Sequence, residues 1–288
     1  MKKKIIFTCA LLVLLCGCSI EKYAVKKIAG IMDSGMEVIM QENDLHIAEI
    51  SLLSNIKLIE TFISVDPKNE KLLLFASMGY GSYALGYLED SLPDRASNIY
   101  WRGKEYGLRI LREKNKEFQK AEKGDLESFE KVMKTFSKDD IPYIFWSAYN
   151  WGCYINLNLS DPEAISDFSK VNSMMQFVLD HDETYYYGGA HLYFGTSLSK
   201  MPAVLGGNLA KSKEHFDKCI SINKGNFLMV YVFYARMYAV AQQDEELFTE
   251  LLNKVVSTPY SIDKELILPN VLAQAKAKYH LANMENYF

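Results

Sequence analysis

The segment from Tyr231 to Pro259 constrains the fold more than any other part of the chain. Tyr231, Tyr234, Ala235 and Tyr238 recur at steps of three and four, which places an aromatic, a small and a second aromatic residue on one helix face. Leu247 and Leu251 carry the same step onto a second helix, and Pro259 ends the unit. Two helices so joined pack side by side and can cross closely only where the small residue removes bulk. Weaker copies lie upstream. Leu73, Ala76, Ser77 and Tyr80 follow the turn "SVDPKN", and Trp146, Tyr149 and Cys153 repeat the order with Asn150 in the small slot, a departure. His191, Phe194, Gly195 and Leu198 repeat it again, and Ser212, Phe216 and Cys219 supply the second helix after an insertion, "MPAVLGGN".

The spacing resembles the tetratricopeptide pattern, W-x2-L-G-x2-Y then A-x3-F then P, with a period of about 34 residues. Elsewhere apolar residues also recur at helical steps. Almost all of the seven prolines fall in turns such as "SLPDR", "DDIPY", "LSDPEA" and "STPYS", and no Asn-Gly hairpin occurs. The expected fold is therefore all-α: an α-solenoid of degenerate tetratricopeptide-like helix pairs forming a single domain over residues 18–288. Residues 18–53 would be its N-terminal helical cap. "RILREKNKEFQKAEKGD" reads as a solvated helix end and loop.

The N-terminus bears on compartment. "MKKK" precedes the apolar run "IIFTCALLVLL", which is shorter than the roughly 20 residues of a spanning helix. The run ends in "LCGCS", which resembles the lipobox of bacterial lipoproteins. Residues 1–17 would then be a lipoprotein signal peptide and Cys18 the lipidated first residue, with the membrane reached through that anchor alone. The leader holds three lysines and no acid, so the formal charge of −4 falls to about −7 without it. Such an acidic chain lacks the basic face that nucleic acid requires. Cys153 and Cys219 are left in the body. Export would permit a bridge, but their helical spacing predicts buried free thiols.

Catalytic chemistry finds little footing. The five histidines show no ligand spacing, and "LDHDET" crowds its acids and His181 into adjacent turn positions that rarely converge on one ion. "GYGSYALGY" lacks the lysine of a phosphate loop, and no G-x-S-x-G is present. No catalytic residue, metal site or cofactor is expected beyond the lipid on Cys18, and the chain does not read as an enzyme.

"ETYYYGGAHLYFGTSLSKMPAVLGGN", Glu183–Asn208, is the anomaly, because a glycine inside a helix costs about 1 kcal/mol relative to alanine. Two readings remain open at this stage. The surplus aromatics and glycines face an inner groove, with Gly188 and Gly189 thinning a cavity wall, or they pack against a neighbouring helix. On the first reading the candidate ligand contacts are Tyr186, Gly188, Gly189, His191, Tyr193, Gly206, Gly207 and Asn208. This segment, with "YWRGKEYGLRIL" and "DIPYIFWSAYNWGCYI", resembles the T-component lipoproteins of TRAP transporters over roughly Ile20 to Lys278. The resemblance implies a periplasmic, lipid-anchored accessory of a tripartite, ATP-independent uptake system that assembles as a homotrimer. It also implies binding to the substrate-binding P component and to a hydrophobic small molecule. Ser19 after the lipid cysteine is compatible with the outer membrane. The alternative is a tetratricopeptide-type lipoprotein scaffold for protein–protein interaction, such as outer-membrane assembly.

Overall fold

A computed structural model describes the backbone of residues 2–288 and the side chains of residues 20–204 and 206–288. Cys18 falls outside the described side chains. Helices account for nearly all of the ordered backbone, and no strand occurs among the described residues. In chain order they are α1 (Lys2–Met40), α2 (Leu45–Val65), α3 (Glu70–Tyr83), α4 (Pro93–Lys114), α5 (Phe118–Ala121), α6 (Leu126–Met133), α7 (Ile141–Leu157) and α8 (Pro162–Ser166). There follow α9 (Phe168–Asp182), α10 (Tyr185–Lys200), α11 (Leu209–Ile222), α12 (Met229–Phe233), α13 (Val240–Gln242), α14 (Glu245–Ser257) and α15 (Ile267–Ala282). The fold is all-α.

Local signals explain the boundaries. Pro93, Pro142 and Pro162 open helices, where a missing N–H costs nothing. Asp44, Asn69, Asp125, Asp161, Asn208 and Asp244 cap helices through side-chain oxygens that accept from the first free N–H groups. The second helix of the N-terminal pair continues to Val65, beyond the boundary at residue 53, because its buried stripe of Ala48, Leu52, Ile56, Ile59 and Ile63 runs on unbroken.

Each helix packs mainly on its neighbours in the chain: α2 on α3, α3 on α4, α4 on α7, α7 on α9, α10 on α11 and α14 on α15. The closest crossings sit at small residues. At Gly195 a Cβ would lie 3.0 Å from the Phe216 ring, so this glycine sets the α10–α11 approach. The large Asn150 is accommodated differently. The bulk was removed from α4, where a Cβ on Gly103 would lie 2.4 Å from the Asn150 Oδ1. The Asn150 amide in turn donates to the Ser77 and Trp146 carbonyls at 3.1 and 2.8 Å. The amide N–H groups alone secure this fully buried side chain in the small slot, since its Oδ1 finds no partner.

Two first helices contain π-helical turns, Ala84–Leu88 after α3 and Tyr234–Ala239 after α12. A π-turn shifts the register of the side chains beyond it.

The two ends of the chain meet. α1 and α2 touch α15, the Lys276 ammonium donates to Asp90 Oδ2, and the Tyr279 hydroxyl donates to the Asp90 carbonyl at 3.3 Å. Leu272 of α15 packs on Gly86 of the first π-turn. Arg236 Nη1 at 3.9 Å from Asp90 Oδ1 adds a second cation, and the His280 ring stands 3.6 Å from the same oxygen, so the segment after the first π-turn is tied to the last helix.

Candidate functional site

The first π-turn, α7, α10 and α15 border a common space that is not filled. It forms a cavity of about 170 Å3. Its floor is aromatic: Phe145, Trp146 and Tyr149 from α7, Tyr186 and Tyr193 from α10, and Phe227 ahead of α12. Leu85 and Gly86 from the first π-turn and Leu268 and Leu272 from α15 close the other side. The contact between Asp90 and α15 brings Leu268 and Leu272 over the inner face, which stays partly open to solvent. The rings pack edge to face, Trp146 against Tyr186 at 4.8 Å and against Tyr149 at 5.3 Å between centroids. Burial pushes the Tyr149, Tyr186 and Tyr193 hydroxyls and the Cys153 thiol well above their ordinary pKa values, so this lining is uncharged at any working pH.

The "YYYGG" stretch accounts for one wall. Tyr186, Tyr187 and Gly188 have φ of 47, 61 and 81°, three successive residues in the left-handed region, so α10 begins with a left-handed turn and becomes right-handed only after Gly188. Glycine takes this conformation freely, but each tyrosine pays roughly 1–2 kcal/mol. The turn is pinned from outside. The Tyr187 carbonyl accepts from the Asn223 amide and the Cys219 thiol, both at 3.4 Å. Its effect is to aim Tyr186 back across α7, where it contacts Phe145 and Trp146. The strain is held in place by these surrounding contacts.

The lining also carries charged residues. Glu89, one residue past the π-turn, and Lys200, the last residue of α10, both belong to it. Glu89 accepts from the Tyr100 hydroxyl and Lys200 donates to the Asn156 carbonyl at 3.1 Å. They form no ion pair with each other. Partial desolvation holds the Lys200 ammonium below the usual lysine range although the residue is exposed, with the Glu89 charge opposing that shift.

The model of one protein family, the TRAP transporter T-component, matches residues 41–288, nearly all of the helical body. The chain belongs to the TRAP transporter T-component family. No curated protein matches the sequence. Among the described residues no helix is long and apolar enough to cross a membrane, and no group of His, Cys, Asp and Glu is gathered to hold a metal.

Within this T-component, three of the residues singled out from sequence line the cavity together: Tyr186, Gly189 and Tyr193. The others stand elsewhere. Gly188 does not line it. Its Cβ position faces Ile222 Cδ1 and the Cys219 Cα at 3.3 and 3.4 Å, so it serves the turn and the α11 contact. His191 points to α11, bonding His215 at 2.9 Å and Glu183 at 3.2 Å. Gly206, Gly207 and Asn208 form the α10–α11 connection. Gly206 adopts φ of 95°, Gly207 passes against the Met201 carbonyl, and Asn208 caps α11 by accepting from the Lys211 N–H at 3.0 Å.

Gly189 also departs from the expected thin wall. A Cβ there would lie 2.5 Å from Phe145 Cζ, so the glycine admits the Phe145 ring and not empty space. The residues that sequence reasoning missed are on the other walls. Trp146, Tyr149 and Cys153 carry the first-helix spacing, and the rule that first helices face inward would have placed them here. Glu89, Lys200 and Leu272 carry no comparable signal, because their position depends on a π-turn and on the placement of α15. Cys153 and Cys219 are free thiols.

Proposed function

We propose that this T-component is a lipid-anchored periplasmic accessory of a TRAP-type uptake system that binds an apolar small molecule in its central cavity and docks the P component beside it. The aromatic-floored cavity of about 170 Å3 carries the reading, because natural cores rarely leave so large an apolar space unfilled. An engineered apolar cavity of about 150 Å3 takes up benzene. Anchoring follows from Cys18 and the basic leader, and two or more acyl chains suffice for stable attachment. A homotrimer is supported by the apolar residues that α1 and α2 leave exposed, among them Ile31, Val38, Ile47, Ile50 and Leu58.

The test of docking is copurification. The full chain, co-expressed with a TRAP P component, should elute with that protein as one complex on size exclusion, and Cys18→Ala should move the complex from the membrane to the soluble fraction. Separate elution of the two proteins at tens of micromolar would refute the partnership.

A further inference from the structure

The start of α1 is a basic, partly apolar stretch on an acidic chain. Within residues 20–32, Lys22, Lys26 and Lys27 meet a single acid, Glu21, so this stretch is net positive while the mature chain carries about −7. The next acid, Asp33, is taken by Lys71 at 2.6 Å, and among the described residues no carboxylate pairs with any of the three lysines. Val25 and Ala29 bury the opposite face of the helix in a cluster with Ile59, Ile63 and Leu72. The three lysines are therefore left exposed, together with Ile20 and Tyr23, whose apolar surface is 66% and 64% exposed. Lys27 Nζ stands 5.5 Å from the Tyr23 ring centroid, so aromatic and cation lie side by side on one face.

Lysines beside exposed apolar side chains suit the boundary of a lipid layer. Stems and rings rest against the acyl edge while the ammonium groups reach the phosphates. The position of the stretch selects that partner. Because α1 is helical without a break from Lys2 to Met40 and rises 1.5 Å per residue, Lys22 lies about 6 Å and Lys27 about 14 Å along the axis from Cys18. Those distances compare with a screening length of about 8 Å at physiological salt, and flexible lysine stems shorten them further. The acidic remainder of the body is repelled by the same surface and is turned away from it.

We propose that the first turns of α1 bind the anionic lipid surface in which the chain is anchored, with Lys22, Lys26 and Lys27 on headgroup phosphates and Ile20 and Tyr23 at the acyl boundary. This rests on the anchor at Cys18, and it adds a second, electrostatic attachment that sets which end of the body faces the bilayer.

The test is cosedimentation of the mature chain from Ser19 onward, which carries no lipid, with two kinds of vesicle. One is phosphatidylcholine alone and the other is phosphatidylcholine with an equal part of phosphatidylglycerol, each at low and at high salt. The chain should bind the anionic vesicles at low salt, release them at high salt, and leave the neutral vesicles unbound. A lysine near such a surface is worth about fivefold in affinity, so the triple variant Lys22→Gln, Lys26→Gln, Lys27→Gln should bind roughly a hundredfold more weakly. All three side chains are exposed, so the variant should melt with the parent. Binding to neither vesicle, equal binding to both, or a triple variant as tight as the parent would overturn the inference. A triple variant that binds vesicles like the parent but changes its size on size exclusion would assign the face to a second copy, which overturns it as well. Mass spectrometry of the full chain taken from membranes reads acylation of Cys18 independently, so failure of the anchor and failure of the lipid contact give different results.

Discussion

Replacing Gly189 by alanine adds one methyl group at the most constrained point of the cavity wall. The new Cβ would lie 2.5 and 2.7 Å from Phe145 Cζ and Cε2, inside any real carbon–carbon contact, so the ring must move. Phe145 is fully buried, held by Tyr149, Tyr185, Trp146 and Tyr186 at centroid distances of 6.3, 5.2, 5.5 and 5.6 Å. The side it has free is the cavity it lines. Overpacking costs roughly 1–3 kcal/mol, and the exchange of glycine for alanine in a helix returns up to about 1 kcal/mol. The net loss should be about 1 kcal/mol, which lowers the melting temperature by roughly 2–4 °C at this size. The displaced ring takes cavity volume, so affinity for an apolar probe should fall in the same variant. Differential scanning calorimetry with and without probe reads both quantities. A variant that melts higher than the parent and binds as well would show that Phe145 does not press on Gly189, and the reasoning would fail.

Gly188→Ala should lose about 1–2 kcal/mol through its left-handed backbone while leaving probe affinity unchanged, measured in the same calorimeter. Asp90→Asn removes the anion that Lys276 and Arg236 share, and should destabilise by up to about 3–5 kcal/mol in urea unfolding. Burial, with the Arg236 charge beside it, pushes His280 from 6.5 down to about 3, and burial with His191 pushes His215 down to about 4. Between pH 6.5 and 4 the unfolded chain binds protons that these folded rings refuse, so stability falls as pH falls. The fully buried His280 alone accounts for roughly 3 kcal/mol by pH 4, and His280→Gln should flatten the profile of urea midpoints over that range. Burial raises the Cys219 thiol to about 12 and Cys153 further, so a thiol reagent at pH 8 should label neither until the protein is unfolded.

The helical class was legible because the pattern that encodes it is local. Tyr231, Tyr234 and Ala235, or Phe194 and Gly195, need only one partner helix, and the partner is the next in the chain. The Gly195–Phe216 crossing stands where the spacing put it. Asn150 was not legible, because its accommodation is written on Gly103 of another helix. The doublet Gly188–Gly189 suggested one role and has two, a left-handed backbone at the first and a ring contact at the second. Nothing in the order of residues distinguishes them, since the left-handed turn also enlists Tyr186 and Tyr187, which favour it intrinsically no more than other residues do. The charged part of the lining needed the whole fold, with a register shift at Ala84–Leu88, the placement of α15, and Lys200 at the end of a helix.

The most direct test of the account is titration of propylbenzene into the wild-type protein and into Thr196→Phe, whose added ring would occupy the cavity that Thr196 lines. The cavity predicts one saturable site in the wild type, with the negative heat-capacity change of apolar burial, and its loss in a folded Thr196→Phe protein. Equal binding by the two proteins, or no binding to the wild type, would contradict it.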